Sequence, residues 1–105
     1  MKQMRPTELA ARLQTGATPT LLDVREEWEW TTCPMPGAKQ ISLRDLPAHV
    51  DALDKAAETV VICHHGVRSY HAAQYLESVG FKDVINLSGG VAAWADEVDT
   101  AMPRY

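Results

Sequence analysis

The segment 63–69 combines a nucleophile, a flexible turn and a permanent positive charge. Its seven members are Cys63, His64, His65, Gly66, Val67, Arg68 and Ser69. It follows an apolar, β-branched run at 59–63 that is typical of a buried parallel strand, and it precedes a segment with helical spacing at 69–79. Open α/β sheets bind their ligands beyond the carboxyl ends of such strands. A binding or catalytic loop is therefore expected at this position.

Cys63 is the nucleophile at the centre of this loop. The helix that follows leaves its first backbone N–H groups unpaired and carries a partial positive charge at that end. Gly66 gives the loop the freedom to turn these N–H groups inward, Arg68 adds a cation at the rim, and Ser69 can cap the helix. A cysteine that ends a buried strand is often only a small core residue. The neighbours at these positions nevertheless favour a reactive thiolate.

Alternating helical and strand patterns indicate an α/β fold with a largely parallel sheet. Strands are predicted at 2–4, 20–24, 38–41, 59–63 and 84–87. Helices are predicted at 7–16, capped by Thr7, at 69–79 and at 91–98, and the segment 43–53 is predicted as two short helical pieces broken by Pro47. The segment 28–34 is interpreted as a loop. The chain of 105 residues is expected to form a single domain, 1–105.

The composition argues against several classes of function. The net charge is −4 and no basic stripe is visible, so a nucleic-acid partner is not expected. No apolar run approaches the roughly 20 residues of a membrane span, and the N-terminus lacks the apolar core of a secretory signal. The two cysteines, Cys33 and Cys63, favour a reducing cytoplasm over a disulfide-stapled secreted domain. A small anionic substrate stays compatible with an acidic chain, because a local pocket can be positive.

Four segments resemble the signatures of the rhodanese-like sulfurtransferase family, in the family's order. The family's loop has Cys, two variable residues, Gly, one variable residue, Arg and Ser, which Cys63, Gly66, Arg68 and Ser69 match. The other segments are 21–26, Pro36-Gly37-Ala38 followed by Ile41, and Gly89-Gly90 followed by Trp94. The resemblance extends over nearly the whole chain.

The resemblance implies a five-stranded, mostly parallel sheet flanked by helices on both faces. It also implies that Cys63 carries a sulfur atom as a persulfide. A small anionic donor such as thiosulfate would supply the sulfur, and a thiol, cyanide or a protein would accept it. The loop amides from His64 to Ser69 would hold the persulfide, and Arg68 would steady the loop or the donor. Asp23 and Arg25 would lie near the site as supports, and no cofactor is implied.

The chain departs from the family pattern before Pro36, where Met35 replaces a common histidine, and this leaves the choice of substrate open. The ending at 97–105 resembles rhodanese domains attached to enzymes that activate sulfur-carrier proteins, so such a system is a candidate partner. Two other functions stay open. One is a phosphatase or arsenate reductase, whose related loops have five residues between cysteine and arginine where this chain has four. The other is a non-catalytic binding or regulatory module, a class that often lacks the cysteine.

Three other residues invite a chemical role. Cys33 could attack a persulfide on Cys63, but nothing in the sequence places it within reach, so a structural loop cysteine is the preferred interpretation. His64 and His65 could tune the loop's charge or contact the acceptor, and they could equally point to water. No metal site is expected, because adjacent residues do not easily converge on one ion and the zinc spacings are absent.

Overall fold

Five parallel strands form the centre of the computed structural model, which describes residues 1–105. In chain order they are β1 (Lys2–Met4), β2 (Thr20–Asp23), β3 (Lys39–Gln40), β4 (Glu58–Ile62) and β5 (Asp83–Leu87). They are arranged in the order β1-β5-β4-β2-β3, and every pairing is parallel. The strand that precedes Cys63 is therefore the middle one. This sheet confirms the predicted fold class.

Helices cover both faces of the sheet. They are α1 (Pro6–Gln14), α2 (Glu27–Thr32), α3 (Leu46–His49), α4 (Val67–Ser78) and α5 (Gly90–Glu97), with a short 3-10 turn at Val50–Ala52. Successive side chains of a strand point to opposite faces. Val60 and Ile62 of β4 accordingly pack in the core cluster that includes α1 and α5, whereas Val61 and Cys63 pack in the cluster that includes α3 and α4. No helix is long and apolar enough to cross a bilayer.

Prolines lie in the first turn of two of the helices, and this corrects two predicted boundaries. The first helix begins at Pro6 with Arg5 at the cap position, so Thr7 is not its cap. Proline suits the first turn because the N–H that it lacks has no acceptor there. Pro47 likewise lies in the first turn of α3, and the break between the two predicted helical pieces comes after it, at Val50.

Two other predictions near the cysteine loop are wrong. Gly66, not Ser69, occupies the cap position of α4, and Ser69 makes no capping hydrogen bond. The segment predicted as a loop at 28–34 contains most of α2. That helix begins with a reciprocal capping box, in which the Glu26 side chain accepts from the backbone of Glu29 and the Glu29 side chain accepts from the backbone of Glu26. The two hydrogen bonds of the box stabilise the start of α2. They compensate for the low helix propensity of its aromatic and β-branched residues.

Candidate active site

Cys63 lies immediately after β4, at the middle of the carboxyl edge of the sheet, and is 1% exposed. The backbone N–H of Gly66 donates to Cys63 Sγ at 3.1 Å. The thiol itself donates to the Ser69 hydroxyl at 3.3 Å. Gly66 has φ +96°, a left-handed conformation that L side chains rarely adopt. This conformation lets the loop fold back so that its own amide reaches the sulfur.

Five further N–H groups of the loop have no acceptor within the protein. They belong to His64, His65, Val67, Arg68 and Ser69. The last three open α4, and the start of a helix carries a partial positive charge. These N–H groups can therefore bind a small anion beside Cys63.

The amino end of α5 fixes the beginning of the loop. The N–H groups of Val91 and Ala92 donate to the carbonyl oxygens of Cys63 and His64, at 2.9 and 3.0 Å. A Cβ at Gly90 would overlap the Cys63 carbonyl oxygen and lie 2.5 Å from that of His64. Only glycine permits this close approach, which explains the second glycine of the last signature.

Arg68 is paired with Glu29 of α2. Its guanidinium donates to the two carboxylate oxygens at 2.6 and 2.8 Å. Glu29 is 2% exposed and also accepts from the N–H of Glu26 and from the Tyr105 hydroxyl. The hydrogen bonds from Arg68 hold the pKa of Glu29 at about 2, and Glu29 raises the pKa of Arg68. The cation predicted at the rim is thus balanced by a carboxylate, and it joins the loop to α2.

Asp23 and Arg25 form a second ion pair, and both are fully buried. Arg25 donates to the two carboxylate oxygens of Asp23, at 2.9 and 2.7 Å, and to the carbonyl oxygen of Cys33 at 2.7 Å. Burial opposes the charge of Arg25, but hydrogen bonds to Asp23 and Tyr105 outweigh it and raise the pKa of Arg25. The pair fastens the end of β2 to the end of α2, on which Glu29 lies.

Tyr105 connects the two ion pairs. Its hydroxyl accepts from Arg25 at 2.9 Å and donates to Glu29 at 2.7 Å. Its ring stacks on His64, which stacks in turn on His65, with 3.9 Å between ring centroids in each case. Burial raises the pKa of Tyr105 to about 12, and burial together with the nearby His65 lowers the pKa of His64. One face of the His64 ring is therefore covered by Tyr105, and the residue is partly exposed.

Two clefts flank the loop. One, of about 170 Å³, lies between the loop, α5 and the C-terminal segment, and the other, of about 380 Å³, lies between the loop, α4 and the ends of β1 and β5. His65 lines both clefts, and Cys63 lines neither. A reactant must therefore pass the loop to reach the sulfur, which favours small or narrow groups.

Sequence reasoning missed three residues of this site. Glu29 fell in the segment interpreted as a loop, where the acidic residues at 26 and 29 were the available capping signal. Tyr105 was noticed only as part of the chain's ending. Asn86 was included only as a member of a strand, although a polar residue in a buried strand needs a hydrogen-bond partner. Cys33 is buried in the core cluster on the opposite face of the sheet from Cys63, and both thiols are free.

Cys63 therefore lies between the middle strand of a parallel sheet and the start of a helix, with one loop N–H on its sulfur and five loop N–H groups that have no protein acceptor. Residues 5–97 match the family model of the rhodanese-like domain. The chain therefore belongs to the rhodanese-like family, which confirms the resemblance noted from its sequence.

Known relatives support a rhodanese-type sulfurtransferase. The chain is 36% identical to the putative sulfurtransferase YtwF of Bacillus subtilis, over 92% of this chain and 93% of that protein. It is 36% identical to the thiosulfate sulfurtransferase GlpE of Pseudomonas fluorescens, over 89% and 84%. It also matches 26% of the probable adenylyltransferase/sulfurtransferase MoeZ of Mycobacterium tuberculosis, at 34% identity over 95% of this chain. A solved rhodanese-like domain protein from Staphylococcus aureus superposes with a TM-score of 0.86, at 33% identity over 93% of this chain and 95% of that one.

Proposed function

We propose that the protein carries a sulfane sulfur as a persulfide on Cys63. The observation that carries this proposal is the set of available N–H groups in the loop that begins at the thiol. Gly66 already donates to Sγ, and five more loop N–H groups lack a protein acceptor. A thiolate and a persulfide are both anions, which N–H groups at a helix start stabilise. Thiosulfate is the proposed donor, because a small anion suits the enclosed position of Cys63 and because the chain is similar to GlpE.

The proposed transfer consists of two displacements at sulfur. Cys63, after its proton has passed to solvent, attacks the outer sulfur of thiosulfate. The S–S bond of thiosulfate breaks, and sulfite leaves with the bonding electron pair. A thiol, cyanide or a protein acceptor then attacks the outer sulfur of the persulfide, and Cys63 leaves as the thiolate. Neither step needs a cofactor, because the sulfur passes from one nucleophile to another.

The loop residues have distinct roles in this proposal. The N–H groups of His64 to Ser69 hold the outer, negatively charged sulfur. Arg68 positions the loop through its pair with Glu29. Asp23 and Arg25 are positioning residues one step further away, because their contacts reach the loop only through Tyr105 and the end of α2.

A phosphatase or arsenate reductase is the weaker candidate. The loop has four residues between Cys63 and Arg68. A tetrahedral phosphate needs donors for three oxygens around the attacking sulfur, and a shorter loop leaves less room for them. We expect no appreciable hydrolysis of p-nitrophenyl phosphate. Efficient turnover that Cys63→Ser abolishes would reverse this order of preference.

Intact-mass spectrometry after incubation with thiosulfate tests the proposal. The expected result is a gain of one sulfur atom that dithiothreitol removes. Cys63→Ser should gain none. Cys33→Ala is the matched control, because it removes the other buried thiol on the opposite face of the sheet, and it should gain sulfur as the parent does. A folded Cys63→Ser protein that still gains the sulfur, or a parent that never does, would contradict the proposal.

The proposal extends to the acceptor of the sulfur and to the location of the protein. The similarity to part of MoeZ supports a protein acceptor from a sulfur-carrier activation system. Transfer of radiolabelled sulfur from persulfidated protein to a purified sulfur-carrier protein would test this acceptor. The scarcity of cysteines favours a cytoplasmic location.

A further inference from the structure

Asn86 of β5 is a polar residue at 3% exposure, and its orientation is fixed by its partners. Its side-chain nitrogen donates to the carbonyl oxygen of Gly66 at 3.1 Å and to Oε1 of Gln3 at 3.0 Å. A backbone carbonyl can only accept, so the amide must face Gly66 with its nitrogen. The amide oxygen consequently faces Ser69, whose hydroxyl donates to it.

Ser69 stands between Asn86 and the cysteine. A hydroxyl has one proton to donate. While Asn86 receives that proton, the Ser69 oxygen accepts the Cys63 thiol at 3.3 Å. When Cys63 loses its proton to solvent, the thiolate and the Asn86 oxygen compete for the single hydroxyl proton. The charged acceptor makes the stronger hydrogen bond, so the hydroxyl turns toward sulfur.

We propose that Asn86 is a positioning residue that governs, through Ser69, how readily Cys63 becomes an anion. Its neutral oxygen accepts the Ser69 hydroxyl while Cys63 is a thiol. When Cys63 becomes a thiolate, the hydroxyl turns and donates to the sulfur instead. Its nitrogen donates to the Gly66 carbonyl and to Gln3, and these two contacts only fix the direction in which the amide oxygen faces. The inference rests on the proposed role of Cys63 and adds a residue from a neighbouring strand to that site.

The pH dependence of Cys63 alkylation by iodoacetamide tests the inference, in the full chain carrying Cys33→Ala so that one thiol reacts. Asn86→Asp supplies a charged acceptor that keeps the Ser69 proton and repels the thiolate, so the profile should move to higher pH by about one unit. Asn86→Leu removes the competing acceptor, so the profile should move to lower pH. A loss of packing alone does not give opposite directions for these two variants.

Ser69→Ala and Gln3→Leu serve as matched controls. In the Ser69→Ala background, Asn86→Leu should no longer move the profile, because no hydroxyl is left to redirect. Gln3→Leu removes a partner from the same amide on the side away from Ser69, and it should leave the profile in place. Circular dichroism establishes that each variant is folded. If Asn86→Asp does not fold, the comparison of Asn86→Leu with and without Ser69 decides the question.

Two results would overturn the inference. One is a shift in the same direction for Asn86→Asp and Asn86→Leu. The other is a shift by Asn86→Leu that persists without the Ser69 hydroxyl. Alkylation needs no sulfur donor, so these outcomes are distinct from a failure of sulfur loading. Shifts as expected in a protein that takes no sulfur from thiosulfate would support this inference and contradict the proposed function.

Discussion

The substitution Glu29→Gln should destabilise the fold by about 2 kcal/mol at pH 7. Glu29 has a pKa of about 2 in the folded protein, against an ordinary value of 4.5. At about 1.4 kcal/mol for each pKa unit, the difference corresponds to about 3 kcal/mol. The Arg68 side chain is 37% exposed, and solvent screening lowers the figure to about 2 kcal/mol. Glutamine also leaves Arg68 without a charged partner, which acts in the same direction.

Urea unfolding followed by tryptophan fluorescence measures this loss. The folded-state pKa is lowered, so the contribution of Glu29 is complete above about 4.5 and is lost as the pH falls toward about 2. The difference between the parent and Glu29→Gln should therefore shrink markedly between pH 7 and pH 3. Glu27→Gln removes the same charge from an exposed position of the same helix, and it should cost under about 0.5 kcal/mol. Equal effects of the two substitutions at pH 7, or a Glu29→Gln difference that does not change with pH, would refute the reasoning.

Three further substitutions test other contacts of the loop. Gly90→Ala should lower the free energy of unfolding by at least about 2 kcal/mol more than Gly16→Ala, as measured by thermal unfolding. Both glycines have positive φ, but of the two only a Cβ at Gly90 meets other atoms within 4 Å. Tyr105→Phe removes a hydroxyl that two ion pairs share, which should cost about 1–3 kcal/mol in urea unfolding. The pKa of His64 is lowered in the folded protein, so folding favours its neutral form and stability should fall as the pH drops below 6.5. His64→Phe should weaken this pH dependence, which unfolding measured from pH 7 to pH 5 would show.

The cysteine loop could be predicted because its signals are contiguous. The apolar β-branched run, the seven loop residues and the helical spacing follow one another without a break. Strand pairing then places the end of β4 at the middle of the sheet. The start of α4 was misplaced for a local reason. Ser69 is a good capping residue by type, but the left-handed Gly66 lets the helix begin at Val67, four residues after Cys63. Ser69 is therefore free to contact Cys63 and Asn86.

The partner of Arg68 could not be predicted, because it depends on a non-local arrangement. Glu29 and Arg68 are 39 residues apart, on helices whose relative position follows from the pairing of β2 with β4. The composition of α2 gives little sign of a helix, since tryptophan and threonine are weak helix formers. The capping box and the pair with Arg68 stabilise it together. A local pattern therefore identified the arginine, and only the fold identified what the arginine holds.

The linkage through Tyr105 determines how far a change at one ion pair extends. Its hydroxyl contacts Arg25 and Glu29, while its ring covers His64. Removing the charge of Glu29 deprives Arg68 of its partner at one end of the loop. It also gives the Tyr105 hydroxyl a weaker, neutral acceptor above the other end. Because His64 directly follows Cys63 and Arg68 lies in the first turn of α4, one substitution in α2 disturbs the loop on both sides of the thiol, although Glu29 itself does not touch the sulfur.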